Sequence, residues 1–346
     1  MTIDPWFLDS LVCPADRRPL RVDDGELACE AGHRFPVVDG VPVMLLPGPQ
    51  TIALADASLK RATRNEHDSR APELHLESLG ISEAEKQTLL QRAGTTPAID
   101  PVVAFLVAAT NGLMYRHLIG SLDRYPIPVL PLPEGDGRRL LDIGCSWGRW
   151  SLAASARGYH VVGIDPSLGA VMAARRVAHR LDRSPRYVVG DARHLPFADA
   201  TFDTVYSYSV IQHFSEADAG KTVDEIARVL RDGGTARVQM PTRFGVRCLY
   251  QQARSRFREP AAFDVRYRTL PHLRRLFAPI GRAHFEADCY FGIGLQGADA
   301  SLMPAPKRAV LAASDVLVRA SRRLPPLTRL ADSVFVDTVK AARTRA

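Results

Sequence analysis

The stretch Leu140 to Trp150, LLDIGCSWGRW, ends an apolar run on an acid, Asp142, and sets two glycines, Gly144 and Gly148, just behind it. Such a run reads as a strand. A glycine turn at its carboxyl end is where an open parallel sheet receives a ligand, because the backbone there can approach a bound group closely. A dinucleotide fingerprint would need glycines at 144, 146 and 149, where this chain has Gly144, Ser146 and Arg149. The phosphate-loop pattern G-x-x-x-x-G-K-[ST] is absent too, so NAD, FAD and ATP hydrolysis are disfavoured. Two further acids end the next strand-like runs: Asp165 in VVGIDPS and Asp191 in VVGDARHLPF. A carboxylate after the second strand is placed to accept both hydroxyls of a ribose. One after the third can accept from an adenine amino group, so the pattern points to an adenosine-bearing ligand.

Three other groups of residues can do chemistry. His213, in SVIQHF, lies just past a strand-like run and is the first candidate for a general base; a local hydrogen-bonding role that shapes its loop is the alternative. Tyr115 and His117, in NGLMYRHLIG, can come from a helix that covers the ligand or simply from an amphipathic packing helix. Cys13-Pro-Ala-Asp16 and Cys29-Glu-Ala-Gly-His33 form two knuckle-like pairs. Trp147 and Trp150 read as packing residues, with shielding of the ligand as the alternative for Trp147, which sits in the turn itself.

The elements that position these residues follow from the spacing of apolar side chains. From Arg138 onward, strand-like RLLDI, HVVGI, Tyr187–Val189, Phe202–Tyr206 and TARVQM alternate with helical segments at Trp150–Ala156, Leu168–Leu181 and from Ser215 to a stop at Gly233-Gly234. Parallel strands need crossover connections, so this alternation predicts an α/β fold, a Rossmann-like mostly parallel sheet with helices on both faces. Residues 1–49 differ: short strand-like runs are separated by Asp24-Gly25 and Asp39-Gly40, which are hairpin signals. They predict a small β-rich module. We divide the chain into that module, a helical extension with a Pro-rich connector over 50–135, a core over 136–241, and a basic part over 242–346 that completes the sheet and substrate site. Within the last part, Leu270–Phe277 and Pro306–Arg323 read as helices, and Ala283–Phe291 and Ser333–Val339 as strands.

Taken in order, LLDIGCSWGRW, VVGIDPS, VVGDARHLPF, FDTVYSYSVIQHF and EIARVLRDGGTARVQM resemble the class I S-adenosylmethionine-dependent methyltransferases, nearest to the group that contains the ubiquinone and menaquinone biosynthesis enzymes. The resemblance implies that Asp142, Gly144 and Gly148 surround the methionine end of S-adenosylmethionine. It implies that Asp165 holds the ribose, that Asp191 and Ala192 hold the adenine, and that Ser207 to Gln212 line the methyl site. Ser146 stands where the family often has a glycine, and it adds a donor for a carboxylate. The N-terminal module is similar to the zinc ribbon of methyltransferase-activator proteins and of ribosomal RNA guanine methyltransferases. That likeness implies zinc on Cys13, Asp16, Cys29 and His33, with Asp16 in place of a cysteine. Structural zinc sites prefer thiolate and imidazole, so a degenerate, metal-free ribbon is the other reading.

Methyl transfer from a sulfonium needs alignment and exclusion of water more than acid–base help. The expected acceptor is a small molecule or a glycan or lipid precursor. RNA is the rival, and a catalytically silent cofactor-binding or partner-activating protein is a third reading. The formal charge of +7 is uneven: residues 235–346 carry 20 basic and 8 acidic side chains, net +12, against net −6 for residues 1–135. Such a region suits RNA or an anionic membrane surface, or is a solvated arginine-rich face. The longest apolar run, Val102–Ala109, is too short to span a bilayer. No secretory signal is evident and the five cysteines are scattered, so a cytoplasmic setting is expected. Oligomeric state is not legible.

Overall fold

The computed structural model describes residues 4–48, 52–64, 82–93, 99–110, 117–118, 122–292 and 297–342. It divides into two compact units, Met1–Phe202 and Asp203–Ala346.

The first unit opens with a short helix, α1 (Pro5–Ser10), and an antiparallel ribbon of β1 (Arg21–Asp23), β2 (Glu26–Ala28) and β3 (Arg34–Phe35). Asp24 and Gly25 join β1 to β2 at φ 49° and 81°. Positive φ at both central residues is the turn geometry whose twist matches the flanking strands. Asp39 and Gly40, at φ 47° and 80°, do the same between β4 (Val37–Val38) and β5 (Val41–Met44). Helices α2 (Ala53–Thr63), α3 (Glu83–Ala93) and α4 (Pro101–Thr110) follow. The predicted alternation then appears as β6 (Arg139–Ile143), α5 (Arg149–Ala156), β7 (His160–Asp165), α6 (Leu168–Arg180) and β8 (Arg186–Gly190).

Strands β6, β7 and β8 are parallel, in register Leu141↔Val162 and Ile164↔Val188. Their apolar residues, Leu140, Leu141, Ile143, Val161, Val162, Val188 and Val189, are buried, as strands covered on both faces require. Within this unit the order is β6-β7-β8-β5-β4. Strand β5 therefore lies parallel to β8, pairing Val43 with Val189 and Met44 with Gly190. Local periodicity in the sequence does not announce this pairing, which ties the N-terminal segment to the sheet that carries the glycine turn. Further ties are Val12 N–H donating to Pro196 O at 3.0 Å, Ala198 N–H donating to Ser10 O at 2.9 Å, and an Arg186–Asp4 ion pair at 2.5 Å.

The second unit comprises β9 (Phe202–Tyr208), α7 (Glu216–Val229), β10 (Leu230–Pro241), α8 (Val246–Arg254), α9 (Leu270–Leu276), β11 (His284–Cys289), α10 (Ala305–Arg323) and β12 (Ser333–Val339). Its strand order is β9-β10-β12-β11, with β12 antiparallel to both neighbours. Ser215 caps α7, its hydroxyl accepting from Asp218 N–H at 3.1 Å, as the sequence predicts. The expected helix stop at Gly233-Gly234 is displaced: α7 ends at Val229 and β10 runs through the glycine pair. Gly233 N–H donates to Lys340 O at 3.0 Å and Lys340 N–H to Gly234 O at 2.8 Å, so these glycines serve strand pairing. The fold class is the expected one, a mostly parallel mixed sheet with helices and a small antiparallel β module.

Candidate cofactor site and metal cluster

The turn after β6 bends through three left-handed residues, Gly144 (φ 74°), Ser146 (φ 48°) and Gly148 (φ 81°). Gly148 is required on two counts. Its φ suits glycine, and a Cβ there would lie 2.5 Å from the Tyr187 hydroxyl and 3.1 Å from Ala174 Cβ. Ser146 takes the conformation a glycine would, at a cost of about 1 kcal/mol. Its N–H donates to Asp165 Oδ2 at 3.0 Å, which offsets that strain. Asp165 Oδ1 accepts from Ser167 N–H at 2.9 Å, so backbone on both sides orients this carboxylate at the end of β7.

Asp142, at the end of β6, is 1% exposed and accepts from the Ser151 hydroxyl at 2.6 Å. Burial pushes its carboxyl up to about 7; the Ser151 hydrogen bond opposes the rise and the Asp165 charge adds to it. Asp191, past β8, is gripped by Arg193 at 2.5 Å and accepts from Arg193 N–H at 2.9 Å, while Ala192 is buried. The first unit thus gathers Asp142, Gly144, Ser146, Gly148 and Asp165 around one turn. Sequence reasoning missed Ser151, Tyr187 and Arg193. A hydroxyl in the first turn of α5 and a base two residues past Asp191 were the available signals. Trp147 is buried within the turn, and its indole Nε1 finds no hydrogen-bond partner among the described residues.

Ser207 and His213 belong to the second unit. Ser207 is fully buried in β9. His213 closes a single helical turn, Ile211–His213, with its ring stacked on Phe263 at 4.1 Å and 1°. Nδ1 lies 2.7 Å from Phe263 O and Nε2 lies 3.1 Å from Gln212 Nε2. A carbonyl only accepts, so the proton is assigned to Nδ1, leaving Nε2 to accept from Gln212. A carboxylate cluster that the sequence reading did not single out sits at the end of β9. Asp288 accepts from Ser333 Oγ at 2.7 Å and Tyr208 OH at 3.1 Å; Gln239 Oε1 accepts from Ser209 N–H at 3.1 Å. Burial raises both the Asp288 carboxyl and the Tyr208 phenol above their ordinary values. An acid in the middle of the β11 run HFEADC was the only trace in the sequence. His117 is exposed in a short helical turn, and Tyr115 lies outside the described residues.

The two knuckles do converge. Ligand atoms of Cys13, Asp16, Cys29 and His33 all lie within 4.8 Å of one another. His33 Nδ1 is 3.4 Å from Cys13 Sγ, 3.3 Å from Cys29 Sγ and 3.4 Å from Asp16 Oδ2, and Cys29 Sγ is 3.7 Å from Asp16 Oδ2. Tetrahedral zinc with ordinary sulfur and nitrogen bond lengths has ligand–ligand edges of about 3.6 Å, so the four residues fit that ion.

Residues 141–238 match the family model described as a methyltransferase domain, and residues 4–40 match the Trm112p-like protein model. The 27-O-demethylrifamycin SV methyltransferase of Amycolatopsis mediterranei is 39% identical over 109 residues, covering 31% of this chain and 39% of that protein. A demethylmenaquinone methyltransferase of Clavibacter sepedonicus is 39% identical over 98 residues, 28% of this chain and 39% of that protein. The chain therefore spans about two-fifths of the length of these curated relatives. A solved complex between the Haloferax volcanii Trm112 methyltransferase activator and a putative methyltransferase is 18% identical, with TM-score 0.44, covering 75% of this chain and 95% of that one. That likeness is too low for functional inference. The glycine turn and its acids lie inside the first match, so residues 141–238 form a methyltransferase-like domain, preceded by a Trm112-like segment over residues 4–40.

Proposed function

We propose that this protein transfers a methyl group from S-adenosylmethionine to a small molecule or to a glycan or lipid precursor. The observation that carries the reading is the Asp165 clamp. Its carboxylate is oriented by Ser146 N–H and Ser167 N–H, immediately beside a turn that Gly148 lets pack directly against Tyr187. The unmatched indole N–H of Trp147 in the same turn also fits a ligand with acceptor atoms. In this reading Asp165 holds the ribose hydroxyls, while Asp142, Gly144, Ser146 and Gly148 enclose the methionine end. Asp191 and Ala192 flank the adenine. S-adenosylmethionine supplies a methyl group already activated on a sulfonium, so the chain's own task is to orient the acceptor and exclude water. The family resemblance assigns Ser207 to the methyl site. His213 offers Nε2 as the atom that takes a proton from a hydroxyl or ammonium acceptor, exchanging its contact with Gln212 for the acceptor. Zinc on Cys13, Asp16, Cys29 and His33 is structural, far simpler chemistry than catalysis, since four protein ligands leave no open position.

Calorimetry with S-adenosylmethionine tests the cofactor. The wild type should bind saturably and Asp165→Ala should bind about tenfold more weakly or worse, from loss of charged hydrogen bonds. Absence of binding by the wild type removes the proposal. Transfer of labelled methyl to cell fractions tests the acceptor class: label in small molecules, glycans or lipids is expected, and label confined to RNA overturns that part.

A further inference from the structure

Helix α8 (Val246–Arg254) is amphipathic in the inverted sense. Its polar-anchored side faces the protein: Cys248 is buried, and the Arg247 and Cys248 N–H groups donate to Asp332 Oδ1 at 2.8 and 3.0 Å. At 100° per residue, Val246, Leu249, Tyr250 and Ala253 form one continuous stripe opposite Cys248. That stripe points outward, with Val246 61%, Leu249 40% and Tyr250 60% exposed. Phe244, 50% exposed, extends it before the helix, and Phe257, 62% exposed, extends it after. Large apolar side chains gathered on a solvent face mark a binding surface.

The charges around the stripe select its occupant. Residues 243–258 contain Arg243, Arg247, Arg254, Arg256 and Arg258 and no Asp or Glu. On the helix, Arg247 and Arg254 lie along one margin of the stripe, and Arg256 and Arg258 bracket Phe257. We propose that α8 and its flanks form an interfacial anchor for an anionic lipid surface: apolar side chains enter the acyl boundary, and the arginines meet the headgroup phosphates. Val246 and Leu249 gain nothing from RNA, whose bases would stack on Phe244, Tyr250 and Phe257 alone, and a face whose five arginines outnumber the neighbouring acids Glu259 and Asp264, the latter paired with Arg258, repels a second copy of itself. The anchor lies on the surface and does not span it, since no described helix is long and apolar enough to cross a membrane.

Co-sedimentation of the full chain with vesicles tests this directly. Binding is expected to vesicles of equimolar phosphatidylglycerol and phosphatidylcholine, and to be far weaker with phosphatidylcholine alone. The triple variant Val246→Ser, Tyr250→Ser, Phe257→Ser should lower the partition coefficient by about tenfold or more, because each side chain loses its apolar burial. Arg254→Gln with Arg256→Gln should lower it in anionic vesicles only. All five positions are at the surface, and an unchanged thermal transition verifies the fold of each variant. Equal sedimentation of the triple variant and the wild type overturns the proposal. So does an absence of vesicle binding accompanied by self-association, or by binding to polyuridylic acid, that the triple variant abolishes.

Discussion

Two residues at the glycine turn have consequences that separate cleanly. Gly148 and Gly25 share φ 81°, but a Cβ at Gly148 would strike Tyr187 while one at Gly25 meets nothing within 4 Å. Gly25→Ala should therefore cost only the backbone term, about 1 kcal/mol, and Gly148→Ala about 2–4 kcal/mol, from strain plus overpacking. Denaturant titration of both variants measures the difference; equal losses would mean that the Tyr187 contact relaxes freely. Asp142 gives a pH signature. Burial holds its carboxyl near 7 against an ordinary 3.8, so the folded chain keeps a proton that the unfolded chain releases. Stability from this group is fully present below about pH 4 and lost as pH rises through about 7, a change of a few kcal/mol at most. Asp142→Asn keeps a neutral side chain throughout. Its stability relative to the wild type should rise between those pH values, as read from unfolding curves at each pH. A flat difference would show that Asp142 titrates normally.

At the scale of elements, strand β5 links the Cys/Asp/His cluster to the sheet that carries the glycine turn. It follows the segment that carries Cys13, Asp16, Cys29 and His33 around the antiparallel ribbon, and it pairs with β8, which is itself paired with β7 and its Asp165. Removing the metal, by chelation or by Cys13→Ser, should loosen the ribbon, because metal binding is folding free energy for such modules. The expected readout is faster hydrogen exchange at Val188–Gly190, with the amides of β6 unchanged; metal analysis should find zinc in the wild type and little in the variant. Unchanged exchange at β8 after loss of metal would uncouple the two. Elements of this unit were legible in the sequence where a residue type dictates geometry. The Asp-Gly turns favoured positive φ, and the runs RLLDI and HVVGI, short, rich in Leu, Ile and Val and bounded by glycines, read as strands. The β5–β8 pairing was not legible, since pairing between distant strands leaves no local period. Gly233-Gly234 misled for a related reason: the same glycines that stop a helix also permit the bend that lets β10 meet Lys340. The Asp288 cluster depends on four strands meeting, so Asp288 and its partners Tyr208, Gln239 and Ser333 carry no common spacing.

Across the whole molecule the decisive quantity is the distribution of charge rather than its sum. Twenty basic and eight acidic side chains in residues 235–346 leave too few carboxylates to neutralise the segment. Several of those eight are already committed within it, as in Arg237 with Glu286 and Asp337, and Arg258 with Asp264. The remaining field extends about 10 Å at 0.1 M salt and shrinks as salt rises, whereas contact of the α8 stripe with acyl chains is short-ranged and indifferent to salt. Encounter with an anionic surface and residence on it should therefore respond to different changes. Raising ionic strength, or making Arg254→Gln with Arg256→Gln, should slow association with anionic vesicles and leave dissociation nearly constant. The triple serine variant at Val246, Tyr250 and Phe257 should do the reverse, associating at a similar rate and leaving about tenfold sooner or more. Stopped-flow measurements over a salt series distinguish the two. If salt and the serine substitutions both act on dissociation alone, the charge of the C-terminal third has no steering role, and the arginines would act only as local contacts at the rim of α8.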